Sequence, residues 1–211
     1  MLNSIILSLL IWLPVLGAVV ILSMSKNATD TVARFIALLV AVICVALCVY
    51  LAVSFDAHSY SGLLNYKMQF VQSSDWITQL NIHYALGVDG IALPLVILTC
   101  FTTLIVILGS WSVVSDKVPQ YLAAFLVMQA MVVGVFCAKD AILFYFFWEA
   151  MLIPMYLSIG IWGGKDRSYA AIKFFMFTFF GSALMLIALL YLYMKTGTFN
   201  IESWYLPKYH L

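Results

Sequence analysis

Six apolar stretches, each about as long as a bilayer-crossing helix, set what this 211-residue chain can become. A hydrocarbon core of about 30 Å takes roughly 20 helical residues at about 1.5 Å each. Inside that core every backbone N–H and C=O must be satisfied within the segment, so such runs fold as helices. The runs are 3–23, 35–55, 91–115, 120–138, 141–161 and 174–194. They predict an all-α polytopic membrane protein with a single membrane domain over residues 1–211. The composition agrees, because 65% hydrophobic and 9% charged residues could not cover a water-soluble surface. Met1 to Ser25 lack the basic start and small-residue cleavage site of a signal peptide, so the first run reads as a retained helix.

The one long polar connection is 56–90, which carries Asp56, His58, Asn65, Lys67, Gln69, Gln72, Asp75 and Asn81. Alternation in Tyr66-Lys-Met-Gln-Phe-Val-Gln72 predicts a short strand or hairpin over the membrane surface. Connections one, three and five hold Lys26, Arg34, Lys117, Lys165, Arg167 and Lys173, against Lys67, Lys139, Lys195 and Lys208 on the other side. The positive-inside bias then puts the odd connections in the cytoplasm, and the 56–90 loop and both chain ends outside.

A net charge of +1 leaves no electrostatic footprint for nucleic acid, and no basic cluster marks a peripheral lipid-binding patch. The lipid bilayer is the partner this composition demands. Cys44 and Cys48 share one apolar helix, while Cys100 and Cys137 stand alone in two others. Without CxxC or Cys/His spacing they read as packing thiols, not as metal ligands or disulfides. No phosphate loop, flavin fingerprint, haem pair or Fe–S cysteine set occurs, so no cofactor and no redox chemistry is expected in this chain.

Against that background Glu149 stands out. It falls eight residues into the run beginning at Ala141, about 12 Å along a helix axis and close to the midplane. A carboxylate there costs about 2.5–3.5 kcal/mol on insertion scales, and its side chain is too short to reach either interface. Three readings compete: a neutral glutamate hydrogen-bonded to a neighbouring helix, a fixed ion pair, or a proton or cation relay whose affinity follows an approaching charge. Pro154 predicts a bend that frees the Ala150 carbonyl. The aromatic run Phe144-Tyr-Phe-Phe147 and Trp148 read as packing around the carboxylate.

Candidate partners within the chain are few. Lys173 opens the sixth run and is expected to snorkel toward the cytoplasmic interface. Lys139 and Asp140 read as a solvated turn, and His58, His83 and His210 as surface residues. Asp89 is expected to cap helix 3, Gln129 to hydrogen-bond between helices, and Gly181-Ser-Ala183 to let another helix approach.

The run Phe146-Phe-Trp-Glu149-Ala-Met-Leu-Ile-Pro154-Met-Tyr, then Ile161-Trp-Gly-Gly-Lys165, then Lys173-Phe-Phe-Met-Phe-Thr-Phe-Phe-Gly181-Ser, resembles the antiporter-like subunits of respiratory complex I. Within that family it is similar to the M subunits of bacterial NADH-quinone oxidoreductase, as is Leu86-Gly-Val-Asp-Gly-Ile-Ala-Leu93. The resemblance implies a proton-translocating membrane-arm subunit of a hetero-oligomer in the bacterial plasma membrane, partnered by other membrane-arm subunits. NAD, FMN, Fe–S clusters and quinone would then serve electron transfer in other subunits. It further implies that Glu149 pairs with a lysine on a broken helix 7, and it suggests Lys173 as a second participant. Family members resemble fourteen-helix proteins built from two inverted repeats, and this sequence is similar to their N-terminal portion. It is therefore expected to be a fragment, a truncated gene product, or one part of a unit completed by another chain. Two other readings stand beside this one: a subunit of a multi-subunit cation/proton antiporter or membrane-bound hydrogenase, and a truncated remnant that only packs against partners.

Overall fold

The computed structural model describes residues 5–24, 29–56 and 68–204. Six long apolar helices run antiparallel: α1 (Ile6–Met24), α2 (Asp30–Ser54), α3 (Ala92–Gly109), α4 (Val118–Cys137), α5 (Ala141–Trp162) and α6 (Arg167–Thr196). A short α7 (Ile201–Trp204) follows. Between α2 and α3 lies an antiparallel hairpin, β1 (Gln69–Ile77) and β2 (Ile82–Val88). The expected alternation thus forms a strand from Gln69, while Tyr66 and Lys67 lie outside the described residues, as do Lys26, His58, Asn65, Lys208 and His210.

Helix ends depart from the apolar runs where local chemistry outweighs hydropathy. Asp30 begins α2 five residues before the expected 35, where a carboxylate favours the positive end of the helix dipole. At the other extreme α3 stops at Gly109 instead of 115, and Ser110 Oγ turns back to donate to Ile107 O at 3.0 Å. Trp111 then leaves the helical path to pack edge-on against Phe35, with the Arg34 guanidinium 5.9 Å from its ring centroid. The sixth helix starts at Arg167, not 174, because Arg-Ser-Tyr-Ala-Ala-Ile-Lys holds no proline or glycine to stop a helix. Its 30 residues span about 45 Å, more than the hydrocarbon core needs. Gly197 ends it in the left-handed conformation, φ 73°, and donates its N–H to Tyr193 O.

The centre of the bundle is α4, packed against α1, α2, α3 and α5, while α6 leans on α5 and is the least covered of the spans. Leu10, Ala37, Val96, Leu126, Ala130 and Val133 are fully buried around this centre. Since lipid is as apolar as leucine, close packing holds such helices together. Close approach is visible at two glycines. A Cβ on Gly17 would stand 2.9 Å from Val40 Cγ2, and one on Gly134 only 2.5 Å from Phe147 Cγ. Gly181, where a close approach was expected, faces open space with no described atom within 4 Å of such a Cβ. All four cysteines are buried free thiols, and Gln129 of α4 donates to Cys100 Sγ of α3 at 3.3 Å, an interhelical bond of the kind expected.

The hairpin covers one end of the bundle. It is tied to α1 by Ser8 Oγ donating to Gln72 Oε1 at 2.5 Å and Trp12 Nε1 donating to the Tyr84 hydroxyl at 3.2 Å. Asp89 Oδ1 accepts from Ile91 N and Ala92 N at the head of α3, as a cap should. The α4–α5 connection does not form the solvated turn read from Lys139-Asp140. Lys139 N donates to Ala85 O of β2, Lys139 O accepts from Ile201 N, and Ala141 N donates to Phe199 O. Asp140 is 2% exposed, and the Lys139 ammonium, largely buried, pairs with Glu202 at 3.0 Å. The tight turn is threaded between the hairpin and the segment after α6, and every backbone group threaded there needs a partner.

Candidate functional site

The site is built on α5. Asp140 starts that helix by accepting from Ile142 N at 2.9 Å and Leu143 N at 3.2 Å, while its other oxygen accepts from His83 N of β2. Burial nonetheless pushes the Asp140 carboxyl above its ordinary 3.8, against the opposing pull of those three bonds and of His83. The cap fixes where α5 begins and hence how deep each later residue lies. Phe147 locks the rotation: its ring lies on Gly134 of α4 and is 1% exposed. With Phe147 turned into α4, Glu149, two residues on and about 200° round the helix, falls on the far side toward α6, half-buried, about 12 Å along the axis from Ala141. Its Oε1 is buried and, among the described residues, has no hydrogen-bond partner.

The helix continues past Pro154 to Trp162, and Ser158 Oγ donates to Pro154 O at 2.7 Å. Below the carboxylate, α5 meets α6 in a readable register. A Cβ on Gly160 would lie 3.6 Å from Ala171 Cβ, and the Tyr156 and Phe175 rings meet edge-on at 5.7 Å. Seven residues back along α5 and seven forward along α6, two turns on each antiparallel helix, Glu149 comes level with Ser182. Ser182 is the one buried polar residue in the interior of α6, 4% exposed. The Tyr145 phenol, one turn before Glu149, approaches both the Glu149 carboxylate and the Ser182 hydroxyl.

Lys173 lies elsewhere. It is nine residues, about 14 Å of helix axis, from the Ser182 level, exposed, with its ammonium 5.5 Å from the Tyr169 ring centroid. The structure therefore does not bring Glu149 and Lys173 together. His83 stays at the surface, with Nδ1 3.1 Å from Asp75 Oδ1. Tyr145 was read from sequence only as one packing aromatic among several. The available signal was its spacing, since residues four apart share a helix face. Among the described residues no group of three His, Cys, Asp or Glu side chains is arranged to hold a metal ion.

Six antiparallel spans with one carboxylate in the middle of the fifth define the class: a multi-pass helical membrane protein with an ionisable group at mid-depth. The chain belongs to the NADH-ubiquinone oxidoreductase chain 4 family, whose amino-terminal model matches residues 1–138. The model for the transmembrane part of NADH:quinone oxidoreductase and Mrp antiporters matches residues 138–208. The NADH-quinone oxidoreductase subunit M of Rhodobacter capsulatus is 44% identical over 201 residues, 94% of this chain and 38% of that protein. Chain 4 of the Arabidopsis thaliana NADH-ubiquinone oxidoreductase is 39% identical over 197 residues, 93% of this chain and 38% of its own length. The chain thus spans about two fifths of the length of the curated relatives it matches. A chain of respiratory complex I from Thermus thermophilus superposes with a TM-score of 0.78 at 25% identity, over 93% of this chain and 38% of that one. The fold is shared with a chain of the Mrp complex from Dietzia, TM-score 0.74 at 18% identity, over 92% of this chain and 20% of that one.

Proposed function

We propose that this chain forms the N-terminal part of a proton-translocating membrane-arm subunit of NADH-quinone oxidoreductase, with Glu149 as its proton-carrying or charge-pairing group. One observation carries the reading: a carboxylate in the middle of a membrane helix keeps a buried oxygen without a partner. Such a group is costly in lipid and is retained where a counter-charge or a proton comes and goes. A cation brought close by residues other than those described would stabilise the carboxylate as an anion and would itself hold its proton more tightly. Withdrawing it would reverse both effects. Movement of that pair could then couple distant electron transfer to proton release, with NAD, FMN, Fe–S clusters and quinone serving in other subunits. In this proposal the protein lies in a bacterial plasma membrane within a hetero-oligomer, the hairpin faces outward, and Lys173 is a secondary group nearer the opposite interface.

The test is Glu149→Gln in the complete complex, reconstituted in vesicles with a pH-sensitive dye. Assembly and NADH oxidation by the hydrophilic subunits should persist while NADH-driven proton translocation falls by at least about tenfold. Translocation at the parent rate would refute the role of Glu149. A second reading, a subunit of a cation/proton antiporter, is favoured by the family model over 138–208 being shared with Mrp antiporters. It predicts proton movement driven by a sodium or potassium gradient without NADH, which the same vesicles would report.

A further inference from the structure

We infer that Tyr145 is a positioning residue for Glu149, its hydroxyl alternating between the Glu149 carboxylate and the Ser182 hydroxyl across the α5–α6 contact. The inference rests on reading Glu149 as the proton-carrying group. Three observations carry it. Tyr145 and Glu149 are four residues apart on α5 and so lie one above the other on one face. The contacts at Gly160–Ala171 and Tyr156–Phe175 set a register that brings Ser182 level with Glu149, and Ser182 is buried there. The tyrosine hydroxyl approaches both partners.

The hydrogen-bond inventory of these groups makes them responsive to one proton. Ser182 Oγ donates its hydrogen to Phe179 O at 2.9 Å, so its lone pairs remain to accept. When Glu149 is ionised, the Tyr145 O–H donates to the carboxylate, a charge-assisted bond stronger than one to a neutral acceptor. When Glu149 takes up a proton, its new O–H donates to Tyr145 Oη, and the tyrosine O–H turns to Ser182 Oγ. Each hydroxyl keeps its own proton in both arrangements, and no group is left with two donors facing each other. Tyr145 therefore holds the carboxylate in position while it is charged and grips α6 while it is neutral, so that loading of Glu149 is felt at the α5–α6 contact.

Infrared difference spectra of the complete complex, recorded between oxidised and NADH-reduced states, test this. The protonated-carboxyl stretch of Glu149 is the band lost in Glu149→Gln. Tyr145→Phe, which removes one oxygen and keeps the ring, should move that band to higher wavenumber and lower protons translocated per NADH by about fivefold. Ser182→Ala should shift it less, in the same direction. A band that stays in place in Tyr145→Phe, while Glu149→Gln deletes it, overturns the inference and leaves the reading of Glu149 intact. Parent-level pumping in Glu149→Gln overturns that reading and the positioning role with it, and a band shift in Tyr145→Phe would then report only a structural hydrogen bond.

Discussion

Two carboxylates nine residues apart on one helix have opposite fates. Asp140, at the start of α5, is 2% exposed and accepts three backbone N–H bonds, from His83, Ile142 and Leu143. Glu149, two and a half turns deeper, is half-buried and keeps one buried oxygen unpartnered. Both sit out of bulk water, and only one has been given everything it needs. A buried polar group fully supplied with partners works as structure. Gln72 Nε2 and Gln129 Oε1 are also buried without a partner among the described residues, but they belong to neutral amides. A carboxylate left short in the middle of a span carries a charge to be balanced as well. Here the balance proposed is a proton and a counter-charge that arrive and leave.

The contrast can be broken most directly by exchanging the symptoms. Glu149→Gln should lower translocation by at least about tenfold with assembly preserved, and Asp140→Ala should do the reverse. If Asp140→Ala abolished pumping per assembled complex, the division of labour between the two would be wrong. At the α4–α5 contact that sets the rotation of Glu149, Gly134→Ala places a methyl against the Phe147 ring. It should destabilise the chain by about 1–3 kcal/mol, read as loss of assembled complex in a thermal or detergent challenge, and retention of parent stability would mean the ring can move aside.

Asp140→Ala should cost about 1–2 kcal/mol, the usual loss of a helix cap, measured in the same challenge. A pH series sharpens this. The Asp140 carboxyl titrates above 3.8 because burial disfavours its anion. The folded state therefore holds that proton more tightly than the unfolded chain does. This contribution to stability is complete below 3.8 and is lost as pH rises through the raised value. Asp140→Asn should remove that segment of the pH dependence, and an unchanged profile would assign it to other groups. The smallest effect is expected from Lys173→Ala. Its ammonium lies over Tyr169 at an exposed position, so stability should change by no more than about 0.5 kcal/mol. Translocation should fall less than in Glu149→Gln, and an equal fall would place Lys173 on the same path.

Much of the fold was legible in the chain because the bilayer admits so few solutions. Runs such as Ala141–Ile161 are helices since no other local structure satisfies their backbone in lipid, and Glu149 is conspicuous by the same logic. The cap at Asp89 and the interhelical bond of Gln129 were also readable, as each residue type has one efficient use at such a position. Lys139-Asp140 misled because a charged pair in a short connection normally meets water. Only the folding of β2 and the segment after α6 over that connection removes the water and supplies partners instead. Tyr145 was hidden among aromatics, since its hydroxyl matters only once Phe147 has turned the helix against Gly134.

Hydropathy, backbone satisfaction and motif order are local properties, and they were enough to set six spans, a carboxylate in the middle of the fifth and the family to which the chain belongs. Tertiary structure alone decided that both Asp140 oxygens find backbone donors while one Glu149 oxygen has no partner among the described residues. It also decided that Ser182, not Lys173, stands level with Glu149. Those are facts of register between helices, fixed by where a glycine lets a ring in and where two antiparallel helices touch, and no single segment contains them.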